Sequence, residues 1–515
     1  MAHAIIFVDR GPNTRDHEYT SQYYALPAGA YKIASVLREL GLDVLVVPNC
    51  SNLTFTGVKQ IIENNKQNLL WVGLSVTFFK AELSSEILTT YRKAWLDSND
   101  TFIDTDILCQ KNANNFFDDL ELLWGQKEIG YISQYLQSNH AVPFMVGGAG
   151  ADCVSNFLLQ HKNTYVVNGY SESYIKEFTM AKLAGVELPA FVNNNNYDNT
   201  DYKTSKILWR PEDVIQPDDW LPLEVARGCA FNCGYCTYHR KATFDSYKSP
   251  KTLYEELIKN YELYGVTRYQ IVDDLYNDSK EKVERLHDEV WRKLPFRPEW
   301  VSYMRLDMIW SDPASAKLIK DSGCRYVAFG IETLHDVAGK KVGKGLGKKR
   351  ILETLEFLKH EWGNDTLIGA LLIAGLPYEP IESIKETLAW STTTDLIHSP
   401  SWNPMYLSVN GASSIESNFE KYGVIWTGPN EWVNSAGVSK KMIADLCNGY
   451  ADTLSSWGIR LSKSVYVDLR VAGFDHELIA NYKTVDLQQY SLSDAALKTK
   501  KMIQHRLDQI LQTKL

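Results

Sequence analysis

Arg227-Gly-Cys-Ala-Phe-Asn-Cys-Gly-Tyr-Cys236 sets three cysteines, Cys229, Cys233 and Cys236, at the spacing CxxxCxxC. The run before them, Leu221-Pro-Leu-Glu-Val-Ala226, reads as a buried strand, so the thiols sit on the loop leaving its carboxyl end. Thiolates are soft donors that suit soft metals and iron–sulfur clusters. A structural zinc site takes four protein ligands. No fourth cysteine or histidine stands at finger-like distance, the nearest candidate being His239, three residues on. Three close thiolates can instead hold three irons of a 4Fe–4S cube and leave the fourth iron open to another ligand.

The 515 residues imply two or three domains at about 100–200 residues each. The net charge of −9 argues against a general nucleic-acid or membrane-surface binder. A local basic run, Lys340 to Arg350, reads as a solvated loop leading into a helix. The other five cysteines, Cys50, Cys109, Cys153, Cys324 and Cys447, are scattered without a disulfide pattern, as in a reduced compartment. The N-terminus reads as a strand entering a fold and not as a signal peptide. No apolar run reaches the roughly 18 residues of a membrane span, so a cytoplasmic location is expected.

Beyond the cysteines, strand and helix alternate. Pro250–Tyr264 is a helix capped by Ser249, Arg268–Val272 a strand, Lys280–Leu294 a helix and Trp300–Arg305 a strand. Pro313–Ser322 (helix), Tyr326–Glu332 (strand), Lys349–Glu361 (helix), Leu367–Ala374 (strand) and Ile381–Ser391 (helix) follow. Tyr406–Val409 would be the sixth strand. Polar residues gather at the carboxyl ends of these strands, as in a partial or full parallel barrel.

CxxxCxxC with Tyr235 just before the last cysteine resembles the signature of the radical S-adenosylmethionine (SAM) superfamily. The resemblance implies a partial (β/α)6 barrel over residues 217–410 and a 4Fe–4S cluster on Cys229, Cys233 and Cys236. SAM would chelate the open iron through its amino and carboxylate groups, with Tyr235 next to the adenine. Asp273 and Asp274 stand where the family contacts the SAM amino group, although a helix cap is their plainer reading. Glu332 would contact the ribose or amine. Arg305 suits a carboxylate and equally a structural pair with Asp307. Gly375-Leu376-Pro resembles the segment passing close to the adenine, or is a turn after a buried strand. Arg227 and Asn232 are candidate donors around the cluster. An electron donor of the flavodoxin or ferredoxin type is implied as partner.

Residues 1–190 also alternate strand and helix: Ala4–Val8, Asp43–Val47, Leu69–Val76, Pro143–Gly148 and Tyr165–Val167 are strands. They imply a parallel, doubly wound, Rossmann-like sheet, whose ligands sit beyond the carboxyl ends. Leu26-Pro-Ala-Gly29, Ile33-Ala-Ser35, Leu40-Gly-Leu-Asp-Val44, Gly73-Leu-Ser75, Val146-Gly-Gly148 and Gly169-Tyr-Ser-Glu172 resemble the cobalamin-binding-type domain of one radical SAM class. That likeness implies cobalamin as a further cofactor, near Ser75, Thr77, Gly147, Gly148, Gly169 and Glu172. Two features depart from it. No DxHxxG offers a lower cobalt ligand, and the turn after Gly148 reads Ala-Gly-Ala-Asp where relatives often carry histidine. An insert over 80–140, with helices expected at Ala81–Leu96, Ala113–Leu123 and Gly130–Leu136, would cover or replace the cofactor face. The other reading is a flavodoxin-like domain kept for packing or for shaping the substrate pocket.

Residues 191–216 read as a linker, whose asparagine-rich stretch could also be an exposed hairpin tip. Residues 411–515 read as a mainly helical region capping the substrate, with helices at Ser439–Trp457 and Leu492–Leu515 and a mixed segment at Ser462–Gly473. His398, Tyr406, Tyr466 and His476 are candidate substrate contacts. Taken together, the resemblance implies a radical SAM enzyme that functionalises an unactivated carbon of a small molecule or peptide, most often by cobalamin-dependent methyl transfer. Cobalamin-independent rearrangement or oxidation, and a non-catalytic iron–sulfur or zinc protein, are the alternatives.

Overall fold

The structure is a computed structural model that describes residues 2–8, 24–76, 86–103, 126–148, 151, 155–194, 201–237, 246–407, 413–428, 431–455, 461–482 and 492–515. Two compact units emerge: Met1–Asp201 with Ser205–Pro217 and Ser493–Leu515, and Tyr202–Thr204 with Asp218–Leu492.

In the first unit, β1 (His3–Val8), β2 (Asp43–Val47), β3 (Leu69–Ser75), β4 (Phe144–Gly147), β5 (Thr164–Gly169) and β6 (Phe191–Asn194) form one parallel sheet in the order β2-β1-β3-β4-β5-β6. Its strands are continuous apolar runs, buried at Ile5, Phe7, Val46, Val72 and Val146. Such runs demand cover on both faces. The order reverses between β1 and β3, which makes the carboxyl ends there the expected ligand edge.

Three expectations change in this unit. Phe191–Asn194, expected in a linker, is instead an edge strand paired to β5. Four residues ending in asparagines carry too little apolar pattern to announce it. The segment after it is also held. Arg38 donates to Asp213 through Nη1 and Nη2, each at 2.8 Å, with both side chains buried. The final helix, Leu492–Gln512, groups with this unit and not with a cap over the barrel. Asn64 and Asn65 donate to the carbonyls of Leu511 (2.8 Å) and Thr513 (3.1 Å), satisfying its carboxyl end. Of the insert helices, Glu86–Asp97 and Gln126–Asn139 are present, while Ala113–Leu123 lies outside the described residues.

In the second unit, β7 (Trp220–Leu223) leads to a short hairpin of β8 (Ala226–Arg227) and β9 (Ser246–Tyr247). β10 (Arg268–Ile271), β11 (Glu299–Met304), β12 (Cys324–Glu332), β13 (Leu367–Ala374) and β14 (Ser399–Pro404) follow. The parallel sheet runs β14-β13-β12-β11-β10-β7, each strand beside its sequence neighbour, as an open six-stranded (β/α) barrel does. The sixth strand is Ser399–Pro404 and not Tyr406–Val409. Two prolines conceal it, and they are tolerated because β14 is an edge.

Trp300 stacks on Trp291 and Phe329 on Trp362, which marks one face as the helix-covered side. Tyr303 and Tyr326 lie three residues away from these and so point to the other face. A helix fills part of that inner face: Lys463–Ala472, in a segment expected to be mixed. Tyr466 meets Trp220 and Tyr326 with ring centroids 5.9 and 5.7 Å apart. Arg470 donates to Glu299 at the amino end of β11 at 2.8 Å. Lys463 sits toward the carboxyl ends, its Nζ 3.9 Å from the Tyr303 ring. Downstream of β14, β15 (Ile425–Gly428) and β16 (Glu431–Val433) form an antiparallel hairpin.

Candidate active site

The cysteine loop is clamped at its base. Asp273, at the end of β10, accepts from the backbone N–H of Val225 (2.7 Å) and Ala226 (2.8 Å). Its two oxygens therefore hold the loop, in place of the SAM amino group the resemblance suggested. Burial pushes its carboxyl up to about 7, against Lys282 and those two donors. Asp274 is less buried and lies near the thiols. Burial first, then Asp274, Cys233 and Cys236, push the Cys229 thiol up to about 11, so three anionic sulfurs need a cationic group to settle there. Arg227 pairs with Glu224 at 2.9 Å and lies over Tyr202. Asn232 offers its Oδ1 to Ser414 at 3.5 Å.

The turn itself is fixed from three sides. Cys236 N–H donates to the Cys233 carbonyl (3.0 Å), Gly234 N–H to Val342 (2.9 Å), and Ile415 N–H to the Gly234 carbonyl (2.9 Å). A side chain on Gly234 would meet Tyr422 Cε1 at 3.1 Å. Cys233 is buried and the other two thiols are half-buried. Among the described residues, no three His, Cys, Asp or Glu side chains converge enough to hold a single metal ion. An iron–sulfur cubane spreads its cysteines across separate irons, and three soft thiolates on one loop are the kind of donor set it takes.

Around the loop stand residues from later strand ends. Arg305 follows β11, with its guanidinium 3.9 Å above the Phe231 ring. Its Nε donates to Asp307 Oδ1 at 2.9 Å and its Nη2 to Oδ2 at 2.5 Å. Its Nη1 donates to Cys233 Sγ at 3.2 Å. Glu332, at the end of β12, has φ +68°, a left-handed conformation rare outside glycine. Its Oε1 accepts from the Tyr235 hydroxyl at 2.7 Å and lies 3.3 Å from Lys344 Nζ. Lys344 also donates to the Gly330 carbonyl at 2.8 Å. Tyr235 and Glu332 are thus brought together. Lys344, expected in a solvated run, belongs to their network.

At the end of β13, Gly375 has φ +89° and begins the turn with Leu376. Glu379 Oε2 accepts from both of their N–H groups at 3.1 Å, and its Oε1 from the Thr333 hydroxyl. Asn434 donates to the carbonyls of Leu376 and Glu379 at 2.9 Å. Glu379, Thr333 and Asn434 escaped the sequence reading. The one available signal was Glu379 in Gly375-Leu-Pro-Tyr-Glu.

Glu379 has only neutral partners, and burial pushes its carboxyl up to about 7. The folded protein then binds more protons than the unfolded chain between about pH 4.5 and 7, so stability is fullest in acid and falls as pH rises through that window. Glu379→Gln keeps an oxygen for the turn but cannot ionise. Between pH 5 and 8 the wild type is expected to lose of order 2 kcal/mol relative to the variant, read as denaturant midpoints. Parallel pH profiles would show the carboxylate ionised throughout.

Other candidates lie elsewhere. Tyr466 and His476 bond each other at 2.8 Å, and His476 meets the Asn364 carbonyl at 2.7 Å, toward the amino end of the sheet. His398 accepts from Ile368 N–H at 3.0 Å near the start of β13. These three serve packing. Tyr406 follows β14 and is 66% exposed at the carboxyl end.

In the first unit, Ser75, Gly147, Gly148 and Gly169 end or follow the adjacent strands β3, β4 and β5. Gly148 and Gly169 have φ of +113° and +89°, so glycine is favoured there, and β4 and β5 end without side chains. That fits the approach of a flat ligand. Glu172 is buried in the first turn of helix Glu172–Leu183, and Thr77 lies outside the described residues.

Comparison with known proteins agrees with this architecture. Residues 223–390 match the family model for the radical SAM superfamily, so the second unit carries a radical SAM domain. An uncharacterized methyltransferase of Pyrococcus horikoshii is 23% identical over 250 residues, 45% of this chain and 53% of that protein. An anaerobic magnesium-protoporphyrin IX monomethyl ester cyclase of Cereibacter sphaeroides is 22% identical over 296 residues, 55% of this chain and 47% of that protein. The chain thus spans about half the length of these curated relatives. Among solved structures, the radical SAM methyltransferase TsrM of Kitasatospora setae, with cobalamin and a 4Fe–4S cluster bound, matches with a TM-score of 0.58 at 14% identity, over 83% of this chain and 82% of that one. The cobalamin-dependent SAM radical enzyme OxsB, with aqua-cobalamin bound, matches with a TM-score of 0.58 at 12% identity, over 99% of this chain and 80% of that one. At these identities the likeness is one of fold.

Proposed function

We propose that the radical SAM domain at residues 223–390 uses a 4Fe–4S cluster on Cys229, Cys233 and Cys236 to cleave SAM and functionalise an unactivated carbon, with cobalamin serving methyl transfer. The observation that carries the reading is the convergence of three thiols with strand-end residues Arg305, Tyr235–Glu332 and Gly375–Leu376 at one edge of an open parallel sheet.

When bound, the reduced cluster supplies one electron to the SAM sulfonium, yielding methionine and a 5′-deoxyadenosyl radical. The chain's own residues position and shield that chemistry. Cys229, Cys233 and Cys236 would hold the cluster and leave one iron for the SAM amino and carboxylate groups. Tyr235, tethered through its hydroxyl to Glu332, would present its ring to the adenine. Glu332 has one oxygen bonded to Tyr235 and Lys344, and its other oxygen would be the one to meet the SAM ribose or amine. Glu379 holds the Gly375–Leu376 turn in one shape, so the adenine meets a fixed backbone. Asp274 is the remaining acid suited to an ammonium.

TsrM and OxsB, whose folds resemble this one, are cobalamin proteins, and this supports cobalamin against the glycine ends of β4 and β5. The substrate is a small molecule or peptide, and a low-potential flavodoxin or ferredoxin supplies electrons. No described helix is long and apolar enough to cross a membrane. Purification in the presence of hydroxocobalamin tests the second cofactor. A corrin absorbance retained at about one per chain is expected, and it should fall when Gly148→Val places a side chain on the edge. A chain that emerges without corrin would overturn the methyl-transfer reading and leave radical chemistry without cobalamin.

A further inference from the structure

We infer that Arg305 is a positioning residue that raises the reduction potential of the cluster through the sulfur of Cys233. This rests on the assignment of the three cysteines as cluster ligands. The backbone of Arg305 is pinned on both sides by Asn277, whose Oδ1 accepts from its N–H and whose Nδ2 donates to its carbonyl, each at 2.9 Å. The guanidinium plane lies 3.9 Å over Phe231, a residue inside the cysteine loop. Asp307 occupies the Nε/Nη2 edge, and the Gly343 carbonyl lies 3.3 Å from Nη2. These contacts fix the remaining nitrogen, Nη1, 3.2 Å from Cys233 Sγ.

The same contacts weigh against Arg305 as a SAM carboxylate ligand. The paired N–H edge that grips a carboxylate bidentately is already filled by Asp307. What is left is a single charge-assisted donor aimed at a buried sulfur. Arginine stays protonated, so this charge is permanent. One-electron reduction of a 4Fe–4S cluster adds negative charge that is spread over its sulfurs. An N–H donor and a cation at one ligating sulfur stabilise the reduced form more than the oxidised form, which raises the potential. Asp307 offsets part of the charge while aiming the donor, so removing it acts in the opposite direction.

The test is an electron-paramagnetic-resonance redox titration of the anaerobically reconstituted full chain, without SAM, with dithionite as reductant and with iron and sulfide counted. Arg305→Gln is expected to lower the equilibrium constant for one-electron reduction about tenfold, about 59 mV toward the negative for a one-electron couple. Arg305→Lys, which keeps a cation and a donor, recovers part of that shift. Asp307→Asn moves the midpoint positive. A fully loaded Arg305→Gln with the wild-type midpoint overturns the inference, whether or not its SAM affinity falls. Should Arg305→Gln fail to assemble a cluster, unchanged midpoints in Arg305→Lys and Asp307→Asn overturn it equally. A wild-type chain that folds but takes up no cluster is a different result, since it overturns the ligand assignment beneath.

Discussion

Cys233→Ser is expected to leave a folded chain that retains almost no iron and produces no 5′-deoxyadenosine above background. Of the three thiols, Cys233 is the buried one, and it is the acceptor for Arg305 Nη1. A serine fills nearly the same volume, so the surrounding turn from Gly234 to Val342 and Ile415 survives. The hydroxyl is a harder donor and does not ionise to replace a thiolate on iron. Iron should drop from about four per chain toward zero, and far-UV circular dichroism should stay unchanged. Cys229→Ser and Cys236→Ser should do the same. By contrast, Cys324→Ser, a change at a buried cysteine at the start of β12, should keep the cluster. Iron retained at wild-type level in Cys233→Ser would move the metal site away from this loop.

Gly375→Ala should strongly destabilise the second unit. A Cβ there would lie 2.3 Å from Trp432 Cη2 and 3.2 Å from Ile443 Cγ1. Trp432 cannot step aside freely, because it is buried and its indole N–H donates to the Met405 carbonyl at 2.9 Å. The left-handed φ of +89° adds backbone strain for any residue with a Cβ. Overpacking and strain together are expected to cost about 3–4 kcal/mol, read as a lowered denaturant midpoint. Gly437→Ala is the control, with a similar φ of +78° and no atom within 4 Å of the added carbon. It should cost only about 1 kcal/mol. Equal costs at the two positions would mean that the turn yields and that Trp432 does not hold the β13 end in place. Because Glu379 carries the N–H groups of Gly375 and Leu376, the same substitution should also weaken SAM binding.

The parts of this site that could be read in the sequence were local ones. CxxxCxxC needs only eight residues, and the buried strands β1–β5 and β10–β13 announce themselves as apolar runs between helices. Ser249 does cap its helix, accepting from Thr252 N–H at 3.1 Å, and Gly265 ends it in a left-handed turn. What escaped depends on partners far away in the chain. Asp273 looks like a SAM ligand until the loop folds back to place Val225 and Ala226 on its two oxygens. Lys344 looks solvated in a lysine-rich run until Glu332, twelve residues earlier, and the ring of Tyr235 come to meet it. Helix Lys463–Ala472 has buried residues nearly all round, including Lys463 and Asp468. Its apolar residues Val465, Val467, Leu469 and Val471 alternate along the sequence as in a strand, which masks the helix. β6 and β14 are edge strands, where asparagine and proline are tolerated because one side of the strand makes no ladder.

The central claim is that this loop and these strand ends cleave SAM by one-electron chemistry. It is tested most directly by incubating the anaerobically reconstituted chain with SAM and a strong reductant, and separating the products. The expected products are 5′-deoxyadenosine and methionine in equal amounts, dependent on the reductant and lost in Cys233→Ser. A chain with its cluster intact that yields no 5′-deoxyadenosine, returning SAM unchanged or only S-adenosylhomocysteine, would contradict it.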